Sequence, residues 1–280
     1  MRCLGKLTKI WAYISFGLTA SIILFLFGYV FYRGADTISL EFLTEMPKGL
    51  VLGEEGGIFP AIVGSLMFTG TAVVLGGIPA VASALFLAYF CKNRKMQKFI
   101  HAVIQCISGI PSIVLGLFSY SFLVRDLNWG RCILSAGAAL AVMILPFIEV
   151  RAEKAFKEIP ESMIRSSEAL GCSGFYTITR IVLPACRGEL ISGLILGGCY
   201  AMGATAPMIF TGAVAYAAVP KSLMSPAMAL PLHLYLLVAQ GATSMNTAYG
   251  TAFVMMAIIL ISNLAATVYA RRSQNKWKNL

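Results

Sequence analysis

The side chains that could carry out acid–base chemistry at the apolar runs long enough to span a membrane are few: His101, Glu149 and Glu189. Each lies near one end of an apolar run, and nothing charged lies deeper. Carriers driven by protons or sodium usually place Asp, Glu or His inside the helix bundle to carry the coupling ion. That argues against such a class, although carbonyls and hydroxyls alone can build a sodium site. The seven cysteines (Cys3, Cys91, Cys106, Cys132, Cys172, Cys186, Cys199) are scattered, odd in number and form no CxxC. They predict neither a disulfide framework nor a metal site. No GxxxxGK[ST] phosphate loop is present, so this chain is not expected to hydrolyse ATP itself; no catalytic residue and no bound cofactor are expected of it.

The elements that position these residues are predicted to be membrane helices. The chain is 58% apolar and 12% charged, with a mean hydropathy of +0.80, too apolar for a soluble domain of 280 residues. The net charge of +10 does not imply nucleic acid, because the charges cluster at the ends of apolar runs. A bilayer-crossing helix needs about 20 apolar residues. Six runs suffice: Ile10–Tyr32, Ala61–Phe90, Phe99–Val124, Arg131–Ile148, Leu190–Phe210 and Thr251–Tyr269. The first follows Arg2, Lys6 and Lys9 like a signal peptide. It is too long for a signal core and lacks a cleavage site, so it reads as a retained helix. Ala227–Ala239, which contains Pro231, is too short to span and reads as interfacial or re-entrant.

The basic residues set the orientation. With both termini cytoplasmic, only Arg33, Lys48, Arg125, Arg131 and Lys221 of the 22 Lys and Arg fall outside. Two spans carry breaks, at Gly76-Gly77-Ile78-Pro79 and Gly109-Ile110-Pro111. Such sites line a substrate path or serve as packing kinks.

The cytoplasmic loop 149–187 is organised. Pro160 suits a helix's first turn, Glu161–Leu170 is rich in helix formers, and Gly171 suits a left-handed stop. Ser173 can cap a second short helix, which Leu183-Pro184 is expected to end. A helix–Gly–helix element suits insertion in a partner's groove, and equally suits packing beneath its own bundle.

These residues carry a resemblance. Glu168-Ala169-Leu170-Gly171 followed by Ile181-Val182-Leu183-Pro184 resembles the EAA loop of ABC importer permeases. Three further segments are similar to permeases of the phosphate-uptake (Pst) system: Gly56–Ser65, Ile110–Leu117, and Gly203-Ala204-Thr205-Ala206-Pro207 with Thr211-Gly212. Ala229-Leu230-Pro231 with Tyr235, and the Arg271-Arg272 end, look more like its A-type than its C-type subunit.

The resemblance implies an all-α membrane protein of type I ABC importer permease architecture, in the cell membrane. An N-terminal helix and external segment (1–59) would precede a permease domain (60–272) and a cytoplasmic tail (273–280). It would pair with a homologous permease, rest on two copies of an ATPase, and receive phosphate from an external binding protein. Membrane lipid, and no nucleic acid, is the other expected partner. The coupling loop to the ATPase would use Pro160, Arg165, Glu168, Ala169, Gly171, Ile181, Leu183 and Pro184. The path candidates are Ser112, Tyr200, Thr205 and Pro207, with Thr205 a hydroxyl beside proline-loosened backbone.

Two departures from the family stand out. Counting back from Gly171, its leading glutamate falls on Arg165 and its two alanines on Ser166 and Ser167. Its fifth-span arginine and glutamate are here Tyr200 and Ala204. The second departure leaves room for a related oxyanion such as molybdate, tungstate or sulfate. A non-ABC ion-coupled carrier and a membrane sensor on the same scaffold are the readings from other classes.

Overall fold

The computed structural model describes residues 2–49, 51–241 and 244–278. Positions 279 and 280 of the expected tail lie outside them. The secondary structure is helical apart from one two-residue hairpin, β1 (Pro47–Lys48) with β2 (Glu55–Gly56). In chain order the helices are α1 (Arg2–Ala35), α2 (Leu40–Thr44), α3 (Phe59–Leu85), α4 (Arg94–Ser108), α5 (Ser112–Ser119) and α6 (Ile133–Lys157). There follow α7 (Glu161–Ala169), α8 (Gly174–Thr177), α9 (Leu183–Met202), α10 (Ala206–Thr211), α11 (Leu230–Gln240) and α12 (Met245–Lys278). Wider π-helical turns extend three of them, at Phe86–Phe90, Tyr120–Asp126 and Ile178–Val182. Among the described residues five helices are long and apolar enough to cross a membrane, and six if the bent pair α4–α5 counts as one span.

The chain divides into two compact units. One comprises Met1–Ile58 and Leu234–Met256. Here α1 meets the start of α12 closely, because Gly34 has no side chain: a Cβ there would lie 2.7 Å from the Tyr249 carbonyl oxygen. Phe31 and Phe253 pack edge to face at 4.4 Å nearby. The apolar side chains of α1 are otherwise exposed, as a lipid-facing helix requires. Two hydroxyls pin the loop after β1: Ser244 donates to the Leu52 carbonyl at 3.0 Å and Thr247 to that of Gly53 at 2.6 Å.

The other unit, Phe59–His233 with Ala257–Leu280, is organised around α6. This helix packs on α3 and α9, and also on α4, α5 and α10. Its first amide groups would be unsatisfied in any helix. Here the backbone N–H groups of Cys132, Ile133 and Leu134 donate to the carbonyls of Thr211, Ser225 and Leu223. Arg131 closes the same corner, donating to the Ile209 and Ala213 carbonyls at 3.0 and 2.7 Å. At the other end Phe156 lies buried with Ala84, Ala152, Val182 and Cys186, and its carbonyl accepts from the Tyr89 hydroxyl at 2.9 Å.

Four expectations need correction. The Gly76–Pro79 segment does not interrupt its span, since α3 runs through Pro79. Its glycines serve packing: a Cβ on Gly76 would lie 2.7 Å from the Ala141 carbonyl oxygen, and one on Gly77 2.5 Å from Leu194. At Gly109–Pro111 the break is real, and α4 and the α5 segment meet at 94°. The fourth span does not end at Ile148, because α6 continues to Lys157. Leu183-Pro184 does not end the short helix of the loop. Pro184 instead sits in the first turn of α9, and the preceding π-turn, in which the Leu183 N–H donates to the Ile178 carbonyl, carries the helix through. The missing proline donor falls where a helix start needs none. Finally, the fifth span stops at Met202 rather than Phe210, with Gly203–Thr205 separating it from α10.

Candidate translocation cavity and coupling element

The bend between α4 and α5 opens a cavity of about 550 Å³, walled also by α6 and α9. Its wall is largely apolar, with Gln105, Ser108, Ser112, Arg151 and Tyr200 as the polar groups. Each has a structural reason to be there. Ser112 is the first residue of α5, brought into place because Pro111 ends α4's direction and starts the next helix. Gln105 and Ser108 lie on the last turn of α4, a strongly amphipathic helix that starts from an Asn93 cap. Arg151 lies four residues after Phe147 on α6, and its guanidinium stands 5.6 Å from that ring's centre. The Phe147 ring in turn lies 6.2 Å from the Tyr200 ring. A cation over an aromatic face keeps its charge while its flat sides are sheltered.

Of the path residues expected from sequence, Ser112 and Tyr200 are brought to this one cavity. Thr205 and Pro207 do not line it. Thr205 precedes the separate helix α10, so it does not share a helix with Tyr200, and its side chain does not cap α10. Pro207 is buried against α5: a Cβ on Gly116 would lie 3.0 Å from the Pro207 Cα. That close approach is a packing role. In the sequence nothing but its neighbours sets Arg151 apart from the other basic residues of segment 149–187. Its i, i+4 spacing from Phe147 was the available signal.

The second feature is the loop element after α6. Pro160 precedes α7 with extended backbone, and Gly171 follows it at φ +77°, a left-handed stop. The Gly171 N–H donates to the Glu168 carbonyl and the Cys172 N–H to that of Ser167. Ser173 then caps α8, accepting from the Tyr176 N–H at 3.3 Å. Inside the turn the Ser167 and Thr177 hydroxyls share a buried hydrogen bond of 2.8 Å. Outside, Leu170 and Phe175 are 84% and 79% exposed. Arg165 and Glu168 are exposed too, and Arg165 pairs with Glu161 at 2.7 Å across one helical turn. Ile181 lines a shallow groove beside them with Met163, Ser166 and Tyr176. Ala169 ends α7, while Leu183 and Pro184 belong to the start of α9. Two apolar side chains are thus held out on a tight turn with a groove beside them.

Comparison with known proteins agrees with this geometry. Residues 80–275 match the family of binding-protein-dependent transport system inner membrane components. A probable ABC transporter permease protein, YqgI of Bacillus subtilis, is 28% identical over 93% of this chain and 94% of its own length. A probable phosphate transport system permease protein, PstA of Methanocaldococcus jannaschii, is 32% identical over 74% of this chain and 73% of its own. Among solved structures, a bacterial ABC transporter involved in the import of the acidic polysaccharide alginate superposes with a TM-score of 0.59. That match is 15% identical and covers 97% of this chain and 99% of that chain, which shows a shared fold. The chain belongs to the family of binding-protein-dependent transport system inner membrane components, as a multi-pass, PstA-type ABC importer permease of the inner membrane.

Proposed function

We propose that the chain is the membrane-spanning subunit of an ATP-driven, binding-protein-dependent importer of inorganic phosphate. The observation that carries the anion reading is the cavity of about 550 Å³ with Arg151 in its wall. A guanidinium held over Phe147, with the hydroxyls of Ser112 and Tyr200 around the same space, offers charge and donors to a tetrahedral oxyanion. The resemblance implies an arginine at the position of Tyr200, and Arg151 of α6 supplies a cation to the cavity that Tyr200 lines. The phosphate transport named for the archaeal relative points the same way.

In this reading both termini are cytoplasmic, and the element around Gly171 docks Leu170 and Phe175 into an ATPase subunit, of which two copies serve this chain and a homologous permease partner. An external phosphate-binding protein delivers the anion on the opposite side. ATP is bound and hydrolysed on the partner subunits.

The test is uptake of radiolabelled phosphate by cells that lack other phosphate importers and express the chain with its partner subunits. Arg151→Ala should reduce uptake at least tenfold with the complex still assembled, and Arg151→Lys should restore part of it. Competition identifies the anion: excess sulfate or molybdate should leave phosphate uptake unchanged. Phosphate uptake unaffected by Arg151→Ala, or abolished by molybdate at equal concentration, contradicts the proposal.

A further inference from the structure

Beside the cavity, on the far side of α6 from Phe147, three side chains converge that the transport reading does not use. His101 of α4 and Glu149 and Glu153 of α6 place their donor atoms within 4.8 Å of one another. The cysteine pattern gave no hint of such a site. Glu149 is the telling member. It is fully buried, and among the described residues neither of its carboxylate oxygens has a hydrogen-bond partner. A buried carboxylate in that condition is strongly unfavourable unless a cation or a proton neutralises it. The two neighbouring basic groups do not meet the need, since both go to Glu153: Lys157 Nζ at 2.5 Å and His101 Nε2 at 3.5 Å.

The spacing suits a metal ion. With bonds of about 2.1 Å, two ligands of a tetrahedral ion stand roughly 3.4 Å apart. His101 and Glu153 already stand 3.5 Å apart, so a carboxylate rotation at Glu149 completes the set. One imidazole and two carboxylates suit a borderline transition metal, where an all-oxygen set would suit magnesium or calcium. Lys157 is 61% exposed and can swing into water when a cation displaces it from Glu153. His101 is 39% exposed, which gives an ion an entry path and a water position.

We propose that His101, Glu149 and Glu153 bind one divalent transition-metal ion of the zinc or manganese class, clamping α4 to α6. The consequence is mechanical. One helical turn further along α4, Ile104 and Gln105 line the cavity, and α6 supplies the facing wall before leading into Pro160 and α7. An ion at the clamp ties the two walls together, so its occupancy would govern how freely the cavity changes shape.

The test uses the purified full-length chain in detergent, stripped of metal by a chelator and then titrated with Mn²⁺. Manganese is the probe because it avoids the cysteine thiols. Binding is read by electron paramagnetic resonance and by metal counting. The expected result is one saturable site, weakened at least tenfold by Glu149→Gln and by His101→Gln, and unchanged by Glu158→Gln. A second readout separates binding from folding: Mn²⁺ should raise the thermal midpoint of the wild type and not that of Glu149→Gln. Absence of saturable binding overturns the proposal and leaves Glu149 neutralised by a proton. Binding that survives Glu149→Gln overturns it too, because the ion then sits elsewhere.

Discussion

Replacing Gly171 should weaken ATPase docking while leaving the membrane helices intact. Gly171 sits at φ +77° with no atom within 4 Å of where a Cβ would stand. Steric crowding is therefore excluded as a cause, and only the backbone conformation resists a side chain. For alanine the left-handed region costs about 1–2 kcal/mol, and a β-branched residue costs more. The buried contact across the turn is the 2.8 Å Ser167–Thr177 hydrogen bond, worth about 1 kcal/mol, so the element has little reserve to hold the strained form. A loss of about 1–2 kcal/mol lowers the docking-competent population by roughly 5- to 30-fold, and apparent affinity falls by the same factor. Asparagine tolerates this region, so the order of ATPase affinity should be Gly171, then Gly171→Asn, Gly171→Ala and Gly171→Val. The assay is equilibrium binding of the purified ATPase to the detergent-solubilised permease, with thermal unfolding of each variant as the folding control. If Gly171→Val binds as tightly as the wild type, or Gly171→Asn binds as poorly as Gly171→Val, the left-handed turn does not control docking.

Further outcomes follow from packing, the cavity and topology. Gly76→Val should lower stability by about 1–3 kcal/mol, because its Cβ meets the Ala141 backbone. Gly70→Ala, in open space on the same helix, should be neutral or stabilising, and thermal unfolding in detergent reads both. Ser112→Ala and Tyr200→Phe should each lower phosphate uptake, while Thr205→Val, outside the cavity, should stay near wild type. Equal losses from all three would show that the path does not run through this cavity. For orientation, Cys172 should react with a membrane-impermeant thiol reagent only in opened cells, and a Glu54→Cys variant lacking the native cysteines should react in intact ones. The reverse pattern would invert the topology.

What was legible in the sequence was local. Pro160, Gly171 and Ser173 each announce a helix start, a left-handed stop and a cap through their own backbone chemistry, and each does that in the structure. The two glycine–proline segments looked alike, yet one lies inside an unbroken helix and the other at a bend of 94°. Their neighbours decide. Pro79 has long apolar sequence on both sides, with α6 packed against Gly76 and α9 against Gly77. Pro111 follows an amphipathic helix whose Lys95, Lys98, His101 and Gln105 keep it from behaving as a lipid-facing half-span. Averaging apolar content over 20 residues hides that periodicity. Pro184 looks like a stop in the sequence because the π-turn before it, which ends at the buried Val182, leaves no mark there. For the site, Ser112 and Tyr200 were accessible through motif position. Arg151 and the His101–Glu149–Glu153 cluster needed α4 and α6 placed side by side.

The most direct measurement of the central claim is phosphate transport into proteoliposomes holding the chain, its partner permease and the ATPase, with the phosphate-binding protein supplied on one side. The account predicts accumulation of labelled phosphate that requires both ATP and the binding protein and drops at least tenfold with Arg151→Ala. Uptake that proceeds without ATP and collapses with a proton or sodium gradient, or accumulation of molybdate or sulfate in place of phosphate, would contradict it.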